Sequence, residues 1–154
     1  MGRNFRRFRL LKFRSMRAST SGPLITVSGD RRITRFGRLL RATKLDELPQ
    51  FWNVLVGEMS LVGPRPEVPE YVAQFQDRYA RILSARPGIT DLASIRFRYE
   101  EQLLSASSDP LREYVERVLP LKLDLADEYL RTASFSKDLS ILLQTASLMF
   151  RKEK

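Results

Sequence analysis

Asp46 and Glu47 stand side by side in Lys44-Leu45-Asp46-Glu47-Leu48-Pro49, and they are the first residues of this chain whose types could carry chemistry. Neighbouring acids on a helix point about a hundred degrees apart, because a turn takes ~3.6 residues. They are poorly placed to share one proton and well placed for separate tasks. Pro49 belongs in a first helical turn, where its missing N–H costs nothing, so the helix start falls near the two carboxylates. At the positive end of a helix dipole the ionised acid is favoured, and a phosphate oxygen can also be held. Gly63-Pro64-Arg65-Pro66 follows as a stiff turn that presents one guanidinium between two prolines. Taken singly, an acid pair at a helix start is ordinarily a stabilising charge, and a Gly-Pro-Arg-Pro run is ordinarily a rigid turn.

The chain has 154 residues, no cysteine and no histidine. Thiol nucleophiles, disulfides, histidine bases and zinc sites of the usual ligand types are therefore excluded. Chemistry falls to Asp, Glu, Lys, Arg, Tyr, Ser or Thr, or to a metal held by oxygen. A hydrophobic content of 43% is enough for one domain with a core of its own. The net charge of +9 is concentrated at one end. Residues 1–44 carry 13 Lys and Arg against the single acid Asp30, whereas the rest of the chain carries 14 against 17. Such a segment favours a polyanion: membrane headgroups, nucleic acid or phosphorylated small molecules. No stretch approaches the ~18 consecutive apolar residues of a membrane-spanning helix, and no secretory signal is visible.

The elements that must position these residues follow from periodicity. Phe8 to Phe13 alternates basic and apolar residues and predicts a strand, though helical spacing fits the flanking positions too. Residues 18–30 read as a polar loop around a brief strand at Leu24 to Val27. Arg31 to Arg41 predicts a basic amphipathic helix, weakened by ~1 kcal/mol at Gly37. Such a helix suits an anionic surface, and equally suits packing on its own core. Leu48, Phe51, Trp52 and Leu55 continue the acid-pair helix to a stop at Gly57. Phe51, Trp52, Phe75 and Tyr79 are expected in the core. Ser60 to Val62 is a strand, Pro69 to Ser84 a helix, and Ile89 to Phe97 an extended segment. Helices are expected over Tyr99 to Ser105, Pro110 to Leu119 and, after a break or kink at Pro120, Leu121 to Leu130. Ser136 is the expected cap of a last helix whose apolar face is Leu139, Leu142, Leu143, Ala146, Met149 and Phe150.

The run from Lys44 to Glu67 resembles the signature of the bacterial sugar transferases, the monotopic phosphoglycosyl transferases. Their pattern is close to Ser-Leu-Asp-Glu-Leu-Pro-Gln followed by Asn-Val-Leu-x-Gly-x-Met-Ser-Leu-Val-Gly-Pro-Arg-Pro. Lys44 departs from it, at a position more often serine. The resemblance extends to Lys12-Phe13-Arg14-Ser15-Met16 and to Arg86-Pro87-Gly88-Ile89-Thr90, and so covers nearly the whole chain.

It implies a single helix-rich α+β domain, 1–154, with a few short strands and a basic membrane-proximal part at 1–44. The implied reaction transfers a sugar-1-phosphate from a UDP-sugar to a polyprenol (undecaprenyl) phosphate through a covalent aspartyl-phosphosugar, starting glycoconjugate or exopolysaccharide assembly. Asp46 is the implied nucleophile and Glu47 the Mg2+ ligand. Arg41, Arg65 and Arg98 are the implied phosphate-binding arginines, with Arg96 an alternative to Arg98. Asp91 stands where the family often has glycine, which bears on sugar specificity. The implied place of action is the cytoplasmic face of the bacterial inner membrane, against an anionic surface, with no nucleic acid partner. The family's hydrophobic re-entrant segment would precede the point at which this sequence starts; the chain is either a truncated piece or a variant with another membrane contact. Two other classes remain on sequence grounds: a non-catalytic basic module binding nucleic acid or anionic membrane through residues 1–44, and a scaffold that binds UDP-sugar without turnover.

Overall fold

A computed structural model describes residues 1–17, 22 and 24–150. In order, the elements are a 3-10 turn (Arg3–Phe5), α1 (Arg35–Ala42), a second 3-10 turn (Leu45–Glu47), α2 (Gln50–Leu55), β1 (Ser60–Val62), α3 (Pro69–Gln74), α4 (Gln76–Ile82), β2 (Gly88–Thr90), α5 (Leu92–Arg96), α6 (Glu100–Ser105), α7 (Pro110–Glu113), a π segment (Tyr114–Val118), α8 (Leu119–Thr132) and α9 (Phe135–Phe150). The architecture is the expected helix-rich α+β one. Its sheet has two parallel strands in the register Ser60↔Gly88 and Val62↔Thr90. No helix among the described residues is long and apolar enough to cross a membrane.

The main core is built where α3, α4, α6 and α8 meet, around Tyr71, Val72, Ile82, Leu104, Leu119 and Leu123. A second cluster, Val62, Tyr129 and Ile141, packs the sheet onto α8 and α9. Thr90 and Thr145 share a hydroxyl hydrogen bond of 2.8 Å, and Tyr129 donates to Asp138 Oδ1 at 2.8 Å. The first fixes α9 against β2 and the second fixes it against α8. Gly63, just after β1, and Gly88, which opens β2, let the two backbones approach closely. A Cβ on Gly88 would lie 2.1 Å from the Gly63 nitrogen.

Several expected elements take a different form. Residues 8–13 form no strand: the Leu11 N–H and the Arg9 carbonyl meet the Asn53 side chain and the Phe13 N–H meets the Asp46 carbonyl, with no ladder. Leu24 to Val27 is likewise irregular, and residues 18–21 and 23 of the same loop lie outside the described residues. The 69–84 helix is two helices, broken at Phe75 (φ −126°, ψ 40°). Ile89 to Phe97 is not extended throughout: after Thr90 the Asp91 side chain accepts the Ser94 N–H and caps α5. Pro120 causes no break, since the preceding π segment hands the helix on and places the proline in the first turn of α8. The cap of α9 is Ser134, which accepts the Lys137 N–H at 3.2 Å, rather than Ser136. Its expected apolar face is turned largely outward. Leu139 and Leu143 are exposed while Ile141 is buried, and the side chains of Met149 and Phe150 lie outside the described residues.

Candidate active site

The site begins with the N-terminal arm, whose residues 6–15 have no regular structure and must be held by others. Asn53 of α2, 1% exposed, does this with one amide. Its Oδ1 accepts the Leu11 N–H at 3.1 Å, and its Nδ2 donates to Arg9 O at 2.9 Å and Glu58 Oε2 at 2.6 Å. Phe13 N–H then donates to the carbonyl of Asp46 at 2.9 Å. On the other side Ser15 O accepts from Thr34 N–H at 3.0 Å, and α1 comes so close that a Cβ on Gly37 would lie 1.9 Å from that oxygen. Gly37 is thus required by contact, whatever it costs the helix. The arm is clamped on both sides of Lys12, whose Nζ reaches Glu47 Oε1 at 3.1 Å.

Asp46 and Glu47 lie in the 3-10 turn, one element before α2. Lys44 enters that turn with φ +57°, a left-handed conformation that costs a residue with a Cβ about 1 kcal/mol or more. Asp46 is 4% exposed, and its Oδ1 has no hydrogen-bond partner. Burial raises its pKa, against the opposing charges of Lys12 and Arg41. The expectation that the helix dipole would dominate at Asp46 therefore fails: desolvation wins. Glu47 behaves oppositely. Burial would raise it too, but the Arg65 charge and hydrogen bond, with Lys12, hold it down at about 2. Arg65 Nη2 stands 2.5 Å from the same Oε1 that Lys12 meets. For Arg65, burial works against the charged form, and the contacts with Glu47 outweigh it and raise its pKa.

The structure therefore gathers Asp46, Glu47 and Arg65, and adds Lys12, which lay in the quoted Lys12-Phe13-Arg14 motif without a role. Arg41 of α1 pairs with Glu101 of α6, and its charge reaches Asp46. Arg98 is half-buried between α5 and α6, its guanidinium 5.5 Å from the Tyr99 ring centre, while Arg96 is exposed. Glu100, two residues on, adds a charge felt by Arg65 and pairs with Lys122 at 2.5 Å. Asp91 does not face outward toward a substrate: it is 4% exposed and bonded to the Arg65 and Ser94 N–H groups. Among the described residues no group of three or more acids could hold a metal ion. Two adjacent carboxylates, one of them with an unpartnered buried oxygen, nevertheless suit magnesium. That ion is usually held by one or two carboxylates, with substrate phosphates and water completing its shell. A recess of about 580 Å³ lined by Leu24, Tyr71, Leu111 and Arg112 contains none of these residues.

Two helices flanking the acid pair, α2 and α1, each turn apolar side chains outward. In α2 the polar side chains Gln50 and Asn53 are buried at 1%, whereas Trp52 is 61% and Leu55 78% exposed. Phe51 is also exposed, so the expectation of a core position holds for Tyr79 and, in part, Phe75 but fails for Phe51 and Trp52. The helix buries its polar side because Asn53 must hold the arm. Phe36 (66%) and Leu39 are exposed on α1, beside the exposed Arg35 and Arg38.

Comparison with known proteins identifies the family. The family model described as bacterial sugar transferase matches residues 1–152. The chain is 39% identical over 153 residues to a UDP-glucose:undecaprenyl-phosphate glucose-1-phosphate transferase of Caulobacter vibrioides, covering 90% of this chain and 49% of that protein. It is 36% identical to the galactosyl transferase CpsE of Streptococcus agalactiae, covering 97% and 33% respectively. A UDP-N-acetylgalactosamine-undecaprenyl-phosphate N-acetylgalactosaminephosphotransferase of Aeromonas hydrophila is 41% identical over 123 residues, covering 75% and 27%. The chain thus spans half or less of the length of these relatives. With a family match over nearly all of its residues, the chain belongs to the bacterial sugar transferase family.

Proposed function

We propose that this chain is the catalytic domain of a phosphoglycosyl transferase that moves a sugar-1-phosphate from a UDP-sugar to undecaprenyl phosphate, with Asp46 as the covalent nucleophile. The observation that carries the reading is the buried Asp46 carboxylate with a free Oδ1, beside a Glu47 that Lys12 and Arg65 keep ionised. A nucleophile needs an uncommitted lone pair, and Asp46 has one. In the first displacement an Asp46 oxygen forms a bond to the β-phosphorus while the bond to the bridging oxygen breaks, and that electron pair leaves on UMP. In the second, a phosphate oxygen of the polyprenol phosphate bonds to the same phosphorus and the aspartyl oxygen leaves, restoring the carboxylate.

A carboxylate approaching a diphosphate meets like charge, and the cations of the site answer it. Arg65 and Lys12 neutralise charge beside the nucleophile, and Arg41 favours its ionised form. Arg98, between α5 and α6, is included in the proposed phosphate-binding set on the family resemblance alone. Glu47 is the residue that would hold Mg2+, which when bound supplies charge neutralisation to the diphosphate oxygens. The names of the relatives cover glucose, galactose and N-acetylgalactosamine, and each remains a donor to be tried.

The exposed apolar side of α1 and α2, with Arg35 and Arg38 beside it, supports docking on an anionic bilayer, where the polyprenol acceptor resides. Residues 1–44 then act as the membrane-proximal part, at the cytoplasmic face of the inner membrane where UDP-sugars are found. The test is UMP release from each UDP-sugar with magnesium and undecaprenyl phosphate in detergent. Asp46→Asn is expected to abolish it and Glu47→Gln to slow it and weaken its magnesium dependence. Full turnover by Asp46→Asn would refute the assignment.

A further inference from the structure

Asp46 and Asp91 are the two acids 4% exposed among the described residues, and the reaction above uses only one of them. Asp91 sits at the end of β2, and the parallel register Val62↔Thr90 sets it beside the turn that leaves β1. Gly63 N–H continues the ladder to Thr90 O at 3.1 Å. Pro64 cannot donate the next bond, and neither can Pro66, so Arg65 N–H is the sole backbone donor in Pro64-Arg65-Pro66. Asp91 Oδ2 accepts it at 3.1 Å. The other oxygen, Oδ1, accepts Ser94 N–H at 2.6 Å and caps α5.

One buried carboxylate therefore joins the arginine turn to the helix that runs on toward Arg98. A guanidinium at the end of a flexible stem is placed only as well as its own Cα is fixed, and here the Cα lies between two prolines with a single tether. We propose that Asp91 is a positioning residue for Arg65, holding the turn so that the guanidinium lies against Glu47 and meets the donor diphosphate. This rests on the reading of Arg65 as a phosphate ligand. Its charge is then spent on two backbone donors and does not face the sugar.

Asp91→Ser separates the two bonds. Serine is a good helix cap and can still accept Ser94 N–H, but its single short hydroxyl cannot also reach Arg65. Asp91→Asn is isosteric with one acceptor oxygen, so one of the two N–H groups faces an NH2 donor instead. The experiment is calorimetric titration of UDP with magnesium into the full chain and into Asp91→Ser, Asp91→Asn, Arg65→Ala and the double variant Arg65→Ala/Asp91→Ser, with melting temperatures alongside. The expected result is a loss of UDP affinity of about tenfold in Asp91→Ser, measured well below its melting temperature, which is expected to fall by a few degrees because the Arg65 N–H loses its partner. In the Arg65→Ala background the same substitution is expected to add nothing, because the residue it acts through is gone. An equal further loss in that background would overturn the proposal and leave Asp91 a structural residue. Affinity unchanged in both Asp91 variants, with Arg65→Ala weakened, would overturn it while leaving the phosphate role of Arg65 intact. Unchanged affinity in Arg65→Ala would overturn both. Should Asp91→Ser not fold, the same comparisons hold with Asp91→Asn.

Discussion

Acid should weaken this fold through Glu47, and the size of the effect follows from its two ion pairs. The carboxyl is held at about 2 against an ordinary 4.5. Its folded-state pKa is depressed, so the stabilisation is fully present above the ordinary value and is lost as pH falls from about 4.5 towards 2. Complete loss amounts to about 3 kcal/mol, and about 2 kcal/mol of it is gone by about pH 3. The Lys12 and Arg65 side chains are 34% and 37% exposed, and solvent screening brings the expected loss at that pH to about 1–2 kcal/mol. Asp46 works in the opposite sense, since its pKa is raised, and other carboxylates titrate too. Comparison with Glu47→Gln removes those common contributions. In EDTA, the wild type should lose about 1–2 kcal/mol more than Glu47→Gln between about pH 6 and pH 3. That corresponds to several degrees of additional fall in melting temperature, measured by scanning calorimetry or circular dichroism. Parallel pH profiles for the two proteins would refute the geometry assigned to Lys12, Glu47 and Arg65.

Two further outcomes test other parts of the account. Replacing Trp52 and Leu55 together by serine removes exposed apolar surface that the fold does not use. Sedimentation with vesicles of phosphatidylglycerol is expected to fall by tenfold or more, with the melting temperature unchanged; equal binding would refute docking through α2. Gly88→Ala places a Cβ 2.1 Å from the Gly63 nitrogen, where only backbone movement can relieve the clash. A loss of about 3 kcal/mol or more in urea unfolding is expected, and a loss under about 1 kcal/mol would show that the strand crossing is looser than described.

The reading of the amino-acid pattern succeeded where a single local rule acts. Gly57 ends the α2 region with φ +81°, Ser60 to Val62 is a strand, and Pro110 opens a helix behind the Asp109 cap. It failed where a distant residue decides. The arm at 8–13 alternates like a strand, but its partners are the Asn53 amide and the Asp46 carbonyl, which periodicity cannot reveal. Phe51 and Trp52 look like core because amphipathic helices usually bury their apolar side; α2 inverts the rule, and Gln50 and Asn53 at its core side were the available clue. Within the site, Asp46, Glu47 and Arg65 were legible as motif residues. Lys12 was not, since nothing local links it to an acid 35 positions away. The buried place of Asp91 was not legible either, because its two acceptors are spent on backbone N–H groups, and only the strand register brings that of Arg65 within reach.

The central claim is that Asp46 becomes covalently attached to a sugar phosphate. Intact-protein mass spectrometry after incubation with magnesium and a panel of UDP-sugars in detergent, without acceptor, tests it most directly. The account predicts a gain equal to one sugar phosphate with the correct donor, absent in Asp46→Asn and discharged on adding undecaprenyl phosphate. The same gain in Asp46→Asn, or turnover of a donor that never leaves an adduct on a trapped wild-type protein, would contradict it.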